Sequence, residues 1–276
     1  MRFKVTAAYD GHRYAGFQKQ VNACGIQSLI EKALQKINKS SEPVPVTAAG
    51  RTDAGVHALG QVFHFDGLEQ IGEHGYYNAL NTLLPKDIRI KKVEKADDDF
   101  HARFSAKTKH YEYVITTERD NPFNENYKTF VWRKLDIDRM RQGAKLLEGE
   151  HDFTSFCNAQ IHPDKPRTKT IYSIEIVEEG KDIRLVYIGN GFLRYQVRMM
   201  SAALIALGEG RISLDELKRI LEARDKHACR FNAPAKGLYL VSVGYTPWND
   251  QPDQLSHMAK SDRTVENLPD RANIKD

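Results

Sequence analysis

The sequence lacks the features that announce the commonest chemistries. Its three cysteines, Cys24, Cys157 and Cys229, are odd in number and far apart, with no C-x-x-C pair. That argues against a disulfide framework or a zinc knuckle, so a reducing, cytoplasmic setting is the expectation. No stretch approaches the roughly 20 apolar residues of a membrane span. The longest greasy run, MMSAALIALG, is too short and reads as part of a buried helix. The opening residues, MRFKVTAAYDG, show no apolar run before a small-residue cleavage site, so no targeting segment is expected there. H-E-x-x-H, a Walker loop, a G-x-S-x-G elbow and a Cys–His nucleophile pattern are all missing. His57, His64, His151 and His162 stand at spacings that suit no metal, so no metal site is expected. GNGFLR carries only a fragment of a dinucleotide-binding pattern, without the acidic residue that should follow on a strand.

What is present is a chain of 276 residues, 41% hydrophobic and 28% charged, enough to bury one large core or two ordinary ones. The net charge of +4 is a mild basic bias, compatible with a polyanionic partner but too small to demand one. FKVTAAYDG alternates into Asp10-Gly11 and reads as a strand and a turn. IQSLIEKALQKINK puts Ile26, Leu29, Ile30, Ala33, Leu34 and Ile37 on one helical stripe. GQVFHFDG and IRIKKVEK read as strands, with a short helix in YYNALNTLLPKD stopped by Pro85. The pattern then restarts. HYEYVITT is a strand; DIDRMRQGAKLLEGEHD is a helix with Asp136 as its cap. TKTIYSIEIVEEGKDIRLVYIGNG is a hairpin around Gly180. FLRYQVRMMSAALIALGEG and SLDELKRILEARD are helices, the second with Ser213 and Glu216 placed for a capping box. GLYLVSVGY is the last strand. Hairpin connections mixed with helices define an α+β class with mainly antiparallel sheets flanked by helices. The chain divides into two similar halves, 1–105 and 106–247. Residues 248–276 form a polar tail with almost no periodicity, expected to be mobile.

The stretch with most chemical content is GRTDAGVHALGQVFHF, Gly50 to Phe65. Asp53 sits there among small residues, just before a strand. Two readings stay open. A turn aspartate commonly does no more than accept backbone N–H bonds. The small residues after it would also let a bulky ligand reach the carboxylate. If this piece is extended, Arg51 and Asp53 share a face, and the guanidinium would hold the carboxylate ionised, as a nucleophile or base requires. A glycosidase would want a second acid beside it, and only the solvated-looking run Asp97-Asp98-Asp99 offers one. Arg198 is set in an otherwise apolar helix, with Arg194 one turn earlier. Either both reach out to solvent or phosphate, or Arg198 is partly buried and needs a carboxylate partner, for which Asp53 is a candidate. In KTKHYEYVI, lysines alternate with Tyr111 and Tyr113 on one strand face. These are ordinary sheet aromatics or a platform for a nucleobase.

These motifs, taken in order, resemble the tRNA pseudouridine synthase A family. The resemblance rests on YDGHRYAGFQKQ, IQSLIEKAL, GRTDAGVHALGQVFHF, LNTLLPKDIRI, FHARFSAKTKHYEY, DFTSF, GNGFLRYQVRMM and GLYLVSVGY, and covers most of the first 247 residues. Phe17 stands where many members carry tryptophan, HPDKP matches no fixed motif, and the tail is not covered. The resemblance implies an isomerase that converts uridine to pseudouridine at positions 38, 39 and 40 of the tRNA anticodon stem-loop. It implies no metal or organic cofactor, a homodimer, and two α+β halves related by a pseudo-twofold about a central catalytic cleft. By position, Asp53 falls on the catalytic aspartate, Tyr111 on the active-site tyrosine, Arg198 on the arginine paired with the aspartate, and Arg51 on a basic residue that helps displace the target nucleotide. Two rivals remain: a catalytically silent RNA-binding protein of the same fold, and a nuclease or N-glycosidase acting on RNA.

Overall fold

The computed structural model describes residues 1–119, 121–157 and 166–248. Strand β1 (Arg2–Tyr9) alternates strictly, so Phe3, Val5, Ala7 and Tyr9 turn inward while their neighbours stay partly exposed. It lies between β3 (His57–Asp66) and β4 (Ile88–Ala96), antiparallel to both. The two-residue β2 (Thr47–Ala48) adds to β3. The second half contributes β5 (Thr108–Thr116), a short β6 (Thr129–Phe130), β7 (Gly149–Asp152), and the hairpin of β8 (Thr168–Glu179) and β9 (Asp182–Gly189).

The two sets of strands are not separate sheets. The last strand, β10 (Leu238–Gly244), lies parallel to β3 and antiparallel to β5. It joins them into one sheet of order β4-β1-β3-β10-β5-β9-β8-β7. That residues 238–244 supply a central strand has no local signature; GLYLVSVGY shows only that it is a strand.

Helices cover one face. Helix α1 (Ile26–Asn38) buries Ile26, Ile30, Ala33 and Leu34 as its stripe predicts. Helix α2 (Gly72–Leu83) packs on β4 and begins several residues before the sequence signal, since Gly72 to Gly75 carry no apolar period. Helices α3 (Ile137–Leu147), α4 (Gln196–Gly208) and α5 (Leu214–Ala223) cover the other half. Asp136 accepts from the Arg139 N–H at 3.0 Å, and Ser213 from the Glu216 N–H at 3.1 Å, as N-caps should. Helix α4 is buried on nearly every side, from Val197 to Gly208, because α3 and α5 flank it over the sheet. Among the described residues, one large apolar cluster runs beneath the five helices, and smaller clusters form around Val62 and Tyr239.

One expectation fails at α4. FLRYQVRMM reads as a helix from Phe192, yet the helix starts at Gln196. Tyr195 adopts the left-handed conformation, φ 69°, and breaks it there. The expected tail begins at Trp248, which packs on Tyr172; the rest of it lies outside the described residues. No helix among the described residues is long and apolar enough to cross a membrane.

Candidate active site

Asp53 belongs to a loop between β2 and β3. The Val56 N–H donates to the Asp53 carbonyl at 3.1 Å, closing a turn, and Gly55 takes φ 76° in it. That positive φ is why glycine follows Ala54. The loop is clamped from above by the segment after β1. The Phe17 N–H donates to the Thr52 carbonyl at 3.2 Å, and the Gly55 N–H to the Tyr14 carbonyl at 3.3 Å. Gly16, at φ 94°, lies so close that a Cβ on it would meet the Thr52 carbonyl at 2.5 Å. The Thr52 hydroxyl pairs with the buried Tyr9 hydroxyl at 2.8 Å. Burial pushes the Tyr9 phenol up to about 12, so it stays protonated as a hydrogen-bonding post.

A second support lies behind the turn. His57, the first residue of β3, is buried; its Nδ1 lies 3.1 Å from the Gly11 N–H and 3.2 Å from Asp10. Its Nε2 meets the Asn126 carbonyl at 3.0 Å, and Tyr239 stacks on the ring. The Tyr127 hydroxyl donates to the other Asp10 oxygen at 2.8 Å. Burial alone would raise the Asp10 carboxyl, but the neighbouring His57 ring and hydrogen bonds from the His12 N–H and Tyr127 outweigh it and hold the group well below the carboxylate range. Both halves of the chain therefore fix the backbone that carries Asp53.

Two cations face Asp53. Arg194 Nε is 3.5 Å from one carboxylate oxygen and Arg198 Nη1 is 4.0 Å from the other. Arg198 is positioned at its base, where its Nε–H donates to the Ala233 carbonyl at 2.7 Å. The Tyr195 ring lies under both guanidiniums, 5.1 Å from Arg194 and 5.0 Å from Arg198. Cation–π contacts of this kind contribute about 0.5–2 kcal/mol each. The left-handed break at Tyr195 thus directs two arginines, on either side of a helix start, at one carboxylate. Burial is the largest influence on Asp53 and raises its pKa; Arg198 and then Arg194 oppose it without cancelling it.

Here the structure corrects the sequence reading in two ways. Arg51 does not share a strand face with Asp53, because β3 begins only at His57; Arg51 is exposed and makes no ion pair among the described residues. The guanidiniums near the acid come from Arg194 and Arg198, and the net shift of Asp53 is upward, because burial outweighs attraction.

Tyr111 on β5 is buried rather than exposed and packs edge-on against Phe192. Burial, with smaller contributions from Tyr9 and the Asp53 charge, holds its phenol far above its ordinary value. Its hydroxyl makes no hydrogen bond among the described residues, unlike that of Tyr113, which pairs with Thr129 at 2.6 Å and the Pro234 carbonyl at 3.0 Å. Lys109, on the same strand, donates to the Ala49 carbonyl at 2.9 Å and so borders the Asp53 loop. The structure therefore brings Asp53, Arg198 and Tyr111 together, adds Arg194 and Tyr195, and leaves Arg51 at the rim. Tyr195 had no sequence signal, since only its backbone break reveals it.

The described site is thus a carboxylate faced by two arginines, with a buried tyrosine whose phenol feels the Asp53 charge, on an α+β sheet. Comparison gives the family. The profile described as tRNA pseudouridine synthase matches residues 5–105 and 144–246, and Tyr111 falls between the two matched segments. The chain is 44% identical over 246 residues to a tRNA pseudouridine synthase A of Bacillus subtilis (strain 168), covering 89% of this chain and 99% of that one. It is 43% identical over 244 residues to one of Exiguobacterium sp., covering 88% and 98%, and 44% identical over 256 residues to one of Limosilactobacillus reuteri (strain DSM 20016), covering 91% and 99%. The chain belongs to the tRNA pseudouridine synthase family.

Proposed function

We propose that this chain isomerises uridine at positions 38, 39 and 40 of the tRNA anticodon stem-loop, with Asp53 as the catalytic carboxylate. Its membership of the family makes it an isomerase that forms pseudouridine in tRNA. The reaction breaks the C1′–N1 bond of uridine and joins C1′ to C5; the proton leaves C5 and N1 gains one, so the atoms balance within the nucleotide. The target uridine must first leave its stack, which costs a few kcal/mol. Arg51, exposed in the same loop as Asp53, is suited to hold a phosphate of the displaced strand. In this reading the ionised Asp53 acts as nucleophile or base on the ribose or the uracil. Arg198 and Arg194 keep enough of the carboxylate ionised in a site whose burial disfavours the charge. Tyr111 packs against the detached uracil and stays protonated, able to exchange a proton with the ring.

The observation that carries the proposal is the position of Asp53: 19% exposed, set in a loop fixed by both halves, and faced by two guanidiniums that come from the other half. The halves 1–105 and 106–247 are read as pseudo-twofold partners, with the catalytic cleft where β3, β10 and β5 meet. A homodimer in the cytoplasm completes the proposal. Asp53→Ala tests it. Pseudouridine formation should disappear while tRNA binding survives. Persistent modification would remove Asp53 from the mechanism; released uracil or shortened RNA would favour an N-glycosidase or a nuclease.

A further inference from the structure

A cavity of about 480 Å³ opens at the sheet end near the start of β5 and is lined by Lys107, Lys169, Tyr172, Asn190 and Trp248, among others. Trp248 lies beyond the last residue matched by the family profile. Tyr172 and Trp248 stack face on face, parallel within 2° and with ring centroids 5.1 Å apart, so each ring holds the other in place and the outer faces of the stack are what a further ring could meet. Among the described residues, Lys107 and Lys169 make no ion pair and no carboxylate lines the cavity. Burial pushes the Lys169 ammonium below its ordinary value, a cost that a bound anion would relieve.

Two residues that line the cavity lie close along the chain to residues of the active site. Asn190 is two residues from Phe192, the ring that packs on Tyr111. On the other side, Lys107 is four residues before Tyr111 on the same run of chain, roughly 13 Å at the rise of an extended strand. That is the scale separating near neighbours on one nucleic-acid strand. A stacked aromatic pair beside two ammonium groups that make no ion pair among the described residues has the chemistry to take a base on its outer face and a phosphate at its edge.

We propose that this cavity is a nucleotide subsite, holding one base and its phosphate from the tRNA strand next to the target uridine. The inference rests on the tRNA-modifying function and extends it to a position away from the reacting bond. It gives this chain a contact through Trp248 that lies outside the matched family segment.

The chain has two tryptophans, Trp132 and Trp248, so Trp132→Phe leaves Trp248 as the only indole reporter. Unmodified tRNA transcript should quench its emission on binding, and should do so equally in an Asp53→Asn background. That readout needs no catalysis, so it stands or falls separately from the role of Asp53. Trp248→Ala should raise the tRNA Kd roughly tenfold, as expected for a lost base–aromatic stack. Lys169→Gln should lower the slope of log K against log salt by about 0.7, one single-strand phosphate contact, whereas Lys169→Arg should restore it. Thermal melting of each variant guards against misfolding. Quenching by inorganic phosphate alone, or a Kd within twofold of the parent in a folded Trp248→Ala protein, would overturn the proposal.

Discussion

Replacing Arg198 with Met isolates its electrostatic role. Its guanidinium stands 4.0 Å from Asp53, and both side chains are mostly buried, at 14% and 19% exposure. At that distance and an effective dielectric of 20, the attraction is about 4 kcal/mol, an upper bound because Arg194 stays in place. Opposite charges at this range lower a carboxylate pKa by about 1–3 units. The sign follows directly. Burial already raises the Asp53 carboxyl, and Arg198 is the largest force holding it down. Without Arg198 the protonated, inactive form persists to higher pH. Single-turnover pseudouridine formation, measured from pH 5 to 9, should show its acid limb displaced upward by about 1–3 pH units in Arg198→Met. The rate should recover in part at high pH. Arg198→Lys should keep most of the limb in place, because it keeps the charge while losing the bond to Ala233. An acid limb that does not move in Arg198→Met, with tRNA binding intact, would refute the pairing as a control on Asp53.

Three further outcomes follow from the geometry. Tyr111→Phe removes a hydroxyl with no hydrogen bond among the described residues, so thermal stability should hold or rise slightly; turnover should fall by on the order of 10²–10⁴ with KM little changed if the phenol exchanges a proton with the base. Gly16→Ala forces a Cβ toward the Thr52 carbonyl at φ 94° and should cost more than about 1 kcal/mol, seen as a lower Tm and slower turnover through a displaced Asp53 loop. Asp10→Asn should lower stability by about 1–2 kcal/mol at pH 7, roughly 2–8 °C in Tm. Because the Asp10 carboxyl is held below its unfolded value, the deficit should shrink as pH falls below about 4, which melting curves across pH can read.

Most of the elements were legible along the chain because each buries a face with its own period. The alternation in FKVTAAYDG marked β1 as a strand, and the stripe in α1 marked Ile30 and Leu34. Asp136 and Ser213 were legible as caps because capping is a contact within one turn. The site was legible only in part. Asp53 stood out among small residues, and Arg198 stood out in an apolar run, but the alternative of a plain turn aspartate could not be removed by local reasoning.

The sequence by itself determined the composition of a large α+β core, the position of its strands and helices, and the residue types available for chemistry. The tertiary structure decided which of those residues meet. Asp53 faces Arg194 and Arg198 because β10 joins the two sets of strands at the middle of the sheet and α4 starts only after the left-handed Tyr195. Arg51, two residues from the acid, faces solvent instead. The reason is physical: periodicity and capping act within a few residues, whereas the charge state of a carboxylate depends on burial and on groups that only folding brings within 4 Å.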